Sequence, residues 1–194
     1  VMLLTACIFV ARLVSEGTRS RLPWAPRLRM FQKDPAPVVE LLELLKDDPE
    51  LYVRRSVANN LNDIGKDNPD VLKEVAGKWM KGASEERLWL VRRALRSLVK
   101  QGDAGALDML GFHQDPHVSI ESIRIVPENP AMGECVEIFF DVNNESGSAQ
   151  RVLADLKVHY VKAGGKTGPK VFKLKEMELA PGDSVSVKKR ISLK

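Results

Sequence analysis

Within ten positions, Ser15-Glu16-Gly17-Thr18-Arg19-Ser20-Arg21-Leu22-Pro23-Trp24, the sequence sets one carboxylate, two arginines and a tryptophan, and Arg27 and Arg29 follow shortly after. A guanidinium makes forked contacts to phosphate oxygens. An indole face suits a flat cation, and an ionised carboxylate stabilises developing positive charge. The same composition also describes an inter-helix loop whose Trp24 is a packing anchor. Further along, Arg55, Asn59 and Asp63 fall at i, i+4, i+8, and Arg92, Arg96 and Lys100 repeat that spacing. On helices each set lies along one side, giving a basic track with one acid in it. The plain alternative is a solvated outer face. Asp63, close to Gly65, also suits local backbone capping, and Asn59 and Asn60 suit either orienting a carboxylate or bonding backbone.

The elements that must position these groups read as helices first. Residues 2–14 form an apolar run through Leu3, Leu4, Ile8 and Val10, and the basic stretch after it is broken by Pro23 and Pro26. Asp34-Pro35 opens a helix burying Val38, Leu41, Leu42 and Leu45, whose spacing marks one face. Asp48-Pro49-Glu50 and Asn68-Pro69-Asp70 supply a cap, a proline at the first helical position and an early acid. The helices behind them bury Val53, Val57, Leu61 and Ile64, then Val71, Val75 and Trp79. Ser84 caps a helix carrying Leu88, Val91, Leu95 and Leu98, and a short helix runs from about Asp103 to Leu110. Trp79 and Trp89 sit at apolar helical positions and read as core.

Val53-Arg54-Arg55 and Val91-Arg92-Arg93 lie thirty-eight positions apart, at what read as equivalent points of successive hairpins. That is close to the HEAT/armadillo period, and hairpins that cannot bury an apolar face alone stack into a curved solenoid. After Gln114-Asp115-Pro116 the pattern changes to short runs rich in Val, Ile and Phe: 118–126, 135–142, 152–161, 171–174 and 185–193. Turn signals separate them, which predicts an immunoglobulin-like β-sandwich. The expected organisation is therefore α then β, with a HEAT-like helical solenoid over 1–114 and a β-sandwich over 115–194.

Composition sets the class of partner. The 194 residues carry a net charge of +4, unevenly distributed. Residues 12–29 hold five arginines against Glu16, and residues 151–194 hold eleven Lys and Arg against four acids. Basic patches of this kind fit a polyanion. Cys7 and Cys135 are far apart, without a neighbouring His or Cys at metal spacing, so reduced thiols in a cytoplasmic protein are expected, with no metal. The apolar opening stops at Arg12, too short to span a bilayer. It lacks a basic leader and a cleavage site. Starting without a cap inside a helical pattern, the sequence reads as missing an N-terminal part. His113, His117 and His159 form no triad or ligand pattern.

The stretch Ser15-Glu16-Gly17-Thr18-Arg19-x-Arg21-Leu22-Pro23-Trp24 with Tyr52-Val53-Arg54-Arg55-Ser56-Val57-Ala58-Asn59-Asn60-Leu61-Asn62-Asp63 resembles the AlkC-type DNA alkylation-repair glycosylases. Arg93-Ala94-Leu95-Arg96-Ser97-Leu98 and Leu110-Gly111-Phe112 continue the resemblance, which covers most of 12–113. Ser20 stands where the family pattern has proline and Arg93 where it has histidine, and the family's N-terminal helices have no counterpart in this sequence. Some members carry an immunoglobulin-like domain after the repeats, in agreement with the β part.

The resemblance implies hydrolysis of the N-glycosidic bond of N3-alkylated bases, above all 3-methyladenine, in double-stranded DNA. No cofactor, membrane or obligate protein partner is implied, and a cytoplasmic monomer, nucleoid-associated when bound to DNA, is expected. By motif matching Glu16 and Asp63 become the carboxylates facing the damaged nucleotide, and Trp24 contacts the deoxyribose or the lesion. Arg19, Arg21, Arg55 and Arg92 become phosphate contacts, with Arg96 and Lys100 beside them. The basic end of the β part, including Lys170, Lys173, Lys175, Lys188 and Lys189, is expected to extend the grip. Two rivals share the fold. A non-catalytic DNA-binding HEAT-repeat scaffold predicts binding without base release. A protein-binding adaptor predicts weak DNA affinity with no preference for damage.

Overall fold

The computed structural model describes residues 8–112, 116–131, 133–162 and 164–193. Cys7, Leu3, Leu4, His113 and the domain boundary expected at 114/115 lie outside the described residues. Chain contacts divide the molecule into two compact units, Val1–Leu110 and Gly111–Lys194.

The first unit is helical: α1 Ile8–Gly17, α2 Arg29–Lys33, α3 Ala36–Leu45, α4 Leu51–Asp67, α5 Pro69–Met80, α6 Glu85–Gln101 and α7 Ala104–Met109. The central helix is α4, which packs against α1, α5 and, most extensively, α6. Its apolar positions Val53, Val57, Leu61 and Ile64 are fully buried with Leu42, Leu72, Leu90 and Leu95. Trp79 is buried as expected, and its indole N–H donates to Glu43. Trp89 packs only partly against this core.

Several boundaries follow the expected signals and several depart from them. Ser84 caps α6, accepting from the Arg87 amide, and Asp103 caps α7 by accepting from the Ala106 amide. Asn68 precedes α5, but its side chain donates to the Gln32 carbonyl and so ties α2 to the start of α5. Helix α1 runs on to Gly17, so Ser15 and Glu16 are helical rather than part of a loop. The Thr18 hydroxyl extends the helical pattern by donating to the Val14 carbonyl.

The two Val-Arg-Arg triplets are not equivalent. Helices α4 and α6 each have 17 residues and begin at 51 and 85, an offset of 34, four short of the triplet spacing. Val53 is therefore the third residue of α4 and Val91 the seventh of α6, one turn deeper. Polar clamps fix the true register. Asn62 donates to the Ala94 carbonyl at 2.8 Å and accepts from Ser97 at 3.1 Å.

Gly65 lets α4 and α5 approach. A Cβ there would stand 2.2 Å from Leu72 Cδ2 and 3.2 Å from its Cβ. Leu72 is fully buried and cannot swing away. Gly65→Ala is expected to destabilise the helical unit by about 1–3 kcal/mol through overpacking. Thermal unfolding followed by helical circular dichroism checks this, and an unchanged midpoint would contradict the close packing.

The second unit is antiparallel. One sheet has the order β1-β2-β5, from β1 Val118–Val126, β2 Cys135–Asn144 and β5 Ser184–Ser192. The other pairs β3 Gln150–Val161 with β4 Thr167–Leu179. Alternate residues Val136, Ile138, Phe140 and Val142 of β2 face a shared core with Val152, Met177, Leu179, Val187 and Ile191. Asn144 pins the end of β2, its amide reaching the Ser148, Leu179 and Ala180 carbonyls.

Candidate active site

Glu16 and Asp63 meet on one guanidinium. The last turn of α1 supplies Glu16, the segment just after it supplies Arg19, and the C-terminal third of α4 supplies Asp63. Arg19 donates through Nη1 to Glu16 Oε2 at 2.9 Å. Through Nε and Nη2 it donates to Asp63 Oδ2 at 2.8 and 2.6 Å. Each carboxylate keeps its other oxygen for an outer cation: Lys66 donates to Asp63 Oδ1 at 2.8 Å, and Arg12 stands 3.4 Å from Glu16 Oε1. The Asp63 side chain is 2% exposed and Arg19 11%, whereas Lys66 is 37% exposed. Burial pulls the Arg19 guanidinium down, but its hydrogen bonds to Glu16 and Asp63 outweigh that and hold its pKa above the ordinary value.

The local sequence explains why these groups come together. Asn60, fully buried on α4, donates to the Ser15 carbonyl at 2.8 Å and to the Thr18 hydroxyl at 3.0 Å. It therefore fixes the end of α1 by bonding backbone and does not touch a carboxylate. Asp63 does not cap backbone either; among the described residues its hydrogen-bond partners are Arg19 and Lys66. Asn59 accepts from Arg96 at 3.1 Å.

The expected phosphate contacts separate into three groups. Arg19 faces inward to two acids, and so differs from the solvent-facing cation its type suggested. Arg21 is bound to Asp67, which also accepts from Gln32 at 3.0 Å. The Arg21 hydrogen bond is the largest influence holding the Asp67 carboxyl below its ordinary 3.8, with burial opposing it. Because that folded-state value is depressed, the contribution to stability is present above the ordinary carboxylate range and is lost as pH falls below it. Arg55, Arg92 and Lys100 are exposed. Arg96 is half-buried among neutral acceptors, Asn59 and the Arg93 carbonyl. Desolvation first, then repulsion from Arg93 and Arg19, lowers its pKa, with Asp63 opposing.

Trp24 is no packing anchor. It is fully exposed and sits at φ 65°, a left-handed conformation costly for a bulky residue. Lys66 and Arg12 were not singled out by the sequence reading, although Asp63-x-x-Lys66 and Arg12-x-x-x-Glu16 are helical ion-pair spacings. Asp67 carried no such signal, being 46 positions from Arg21. In the second unit Lys173 lies 3.2 Å from Glu176 and Lys188 3.1 Å from Glu137. Lys170 stands over the Phe172 ring. No helix among the described residues is long and apolar enough to cross a membrane.

A helical unit followed by a two-sheet β unit has counterparts among known proteins. Residues 119–194 match the family described as the C-terminal Ig-like domain of the uncharacterised protein YhaZ. YhaZ of Bacillus subtilis strain 168 is 37% identical over 177 residues, which is 91% of this chain and 49% of that protein. The solved structure of the Pseudomonas fluorescens alkylpurine DNA glycosylase AlkC, bound to DNA containing an abasic site analog, superposes with a TM-score of 0.94 at 36% identity, covering 97% of this chain and 52% of that one. Along nearly its whole length the chain is similar to AlkC and to YhaZ, and its β unit is Ig-like. It spans about half the length of the relatives it matches.

Proposed function

We propose that the chain is the part of an AlkC-type glycosylase that hydrolyses the N-glycosidic bond of N3-alkylated purines such as 3-methyladenine in double-stranded DNA. The observation that carries this reading is the convergence of Glu16 and Asp63 on Arg19, with Asp63 44 positions beyond that arginine, in a chain similar along nearly its whole length to a DNA-bound alkylpurine glycosylase. An N3-alkylated purine already bears positive charge, so it leaves without a strong general acid. The remaining tasks are to stabilise an oxocarbenium-like sugar and to direct water, and ionised carboxylates do both. Glu16 and Asp63 take these roles, while Trp24 lays its exposed indole against the deoxyribose or the cationic base. Water is the second substrate, and no cofactor enters.

In this reading the helices of 1–114 form a HEAT-like solenoid that grips the DNA backbone and bends it. Arg55, Arg92, Lys100 and Arg96 serve as phosphate contacts. Arg19 and Arg21 are occupied by acids and act as supports. The β unit, 115–194, extends the grip through exposed lysines such as Lys170 and Lys175. The protein works as a monomer in the cytoplasm, on the nucleoid. Incubation with a duplex carrying N-methylated purines, followed by chromatography of released bases, tests the reading. Free 3-methyladenine supports it, and tight binding with no release favours the scaffold.

The backbone contacts have their own signature. Each phosphate neutralised contributes about 0.9 to the slope of log affinity against log salt. Arg55→Gln with Arg92→Gln is expected to lower that slope by about 1.8 and to weaken damaged and undamaged duplexes alike. Fluorescence anisotropy across a salt series reads both quantities. An unchanged slope would remove these two arginines from the interface.

A further inference from the structure

We propose that Arg19 is a positioning residue that holds the Glu16 and Asp63 carboxylates side by side, so that its removal leaves two like charges facing each other and makes them compete for a proton. This deepens the glycosylase reading and rests on it for its consequence in activity, though not for its electrostatic core. The geometry is specific. One planar guanidinium spends Nη1 on Glu16 and both Nε and Nη2 on Asp63. It therefore spans two like charges that are otherwise close enough to repel. Neither carboxylate is bridged to the other by any other described group: Lys66 pairs with Asp63, and Arg12 pairs with Glu16 while also donating to the Tyr52 carbonyl and lying over its ring.

The charged groups facing the pair are few. From α1 come Arg12 and Glu16, from α4 come Asp63, Lys66 and, beyond it, Asp67 with its Arg21 partner. From α6 comes Arg96, which points its donors at Asn59 and the Arg93 carbonyl. Arg12 and Lys66 are more exposed than Arg19. Arg19, part-buried between the acids, is the cation held by both of them. A lysine at this position keeps the charge but cannot reproduce the fork.

The test has two independent readouts on Arg19→Met, Arg19→Gln and Arg19→Lys. The first is the carbon-13 titration of the Glu16 and Asp63 carboxyls by NMR. In the methionine and glutamine variants the midpoint of at least one of them is expected to rise by about one pH unit or more. The lysine variant should fall between them and the parent. The second is the pH profile of 3-methyladenine release, whose acid limb should move upward by the same amount, with activity recovering at higher pH. Unshifted carboxyl midpoints in a variant that remains folded would overturn the proposal, as would an activity loss equal at every pH. Absence of base release by the parent at any pH would defeat the glycosylase reading alone, because the NMR titration still decides what Arg19 does. Arg19→Lys, which keeps the charge, provides the folded variant if the neutral substitutions unfold the helical unit.

Discussion

Asp63→Asn is expected to lower the unfolding midpoint of the helical unit by on the order of 10 °C, a loss of about 3 kcal/mol. Removing one partner of a buried ion pair leaves the other charge without compensation, typically costing about 3–5 kcal/mol. Arg19, 11% exposed, keeps Glu16 as a partner, which sets the cost at the lower end of that range. Lys66, 37% exposed, returns to water and adds little. A cycle with Arg19→Met separates the pair from its surroundings: the double variant should lose clearly less than the sum of the singles. A midpoint within 2 °C of the parent, as for a surface acid, on the order of the small effects such sites show, would contradict the network. On the proposed glycosylase reading Asp63 therefore carries two burdens, one structural and one chemical. Any loss of activity in Asp63 variants has to be read at a temperature where the variant is folded.

Trp24→Gly is expected to do the reverse, leaving stability nearly untouched while reducing affinity for damaged DNA by about tenfold or more. Fully exposed, the Trp24 side chain contributes no buried area to lose. Its backbone, at φ 65°, is in the left-handed region. A non-glycine residue there carries about 1–2 kcal/mol of strain, which glycine relieves. Glycine gives back roughly 0.5–1 kcal/mol through its larger unfolded-state entropy. The two terms leave the net change within about 1 kcal/mol. An aromatic face stacked on a base is worth about 1–3 kcal/mol, which sets the expected loss of affinity. A large aromatic held in solvent on strained backbone is the pattern of a residue kept for contact with a ligand. Wild-type affinity and base release in the glycine variant would show the indole to be idle.

How much of this was legible in the sequence depends on whether the signal is local. The cap at Ser84, the buried face of α4, Val91, Leu95 and Leu98 on α6 and the change from helix to strand after residue 116 all follow from neighbouring residues and appear where expected, whereas Leu88 is only half-buried and Leu90 is buried in its place. The end of α1 was hidden because Ser15-Glu16-Gly17 has the composition of a loop. What extends the helix is tertiary: Asn60 holds the Ser15 carbonyl and the Thr18 hydroxyl from across the fold. The triplets thirty-eight apart suggested a repeat register, yet packing between Asn62 and Ala94 set another. Strand β4 is longer than its Val171–Leu174 core suggested, running through Gly168 and Pro169. It pairs on one side only, and an edge strand tolerates a residue without an N–H.

The candidate site divides in the same way. Resemblance put Glu16 and Asp63 forward, and residue type put Arg19 forward as a phosphate ligand. Nothing local shows that Arg19 will spend its donors on two acids, one of them 44 positions away. Residue type assigns a guanidinium to a phosphate or a carboxylate equally well, and only the fold decides which is within reach.

The central claim is that Glu16 and Asp63 act directly on the damaged nucleotide. The most direct measurement is single-turnover release of 3-methyladenine from methylated duplex by the parent chain, Glu16→Gln and Asp63→Asn, with binding of the same duplex followed alongside. The account predicts free 3-methyladenine and alkali-labile abasic sites from the parent. It predicts release slowed by about a hundredfold or more in each folded variant, with binding retained. Release at the parental rate in both variants, or a parent that binds the duplex and frees no base, would contradict it.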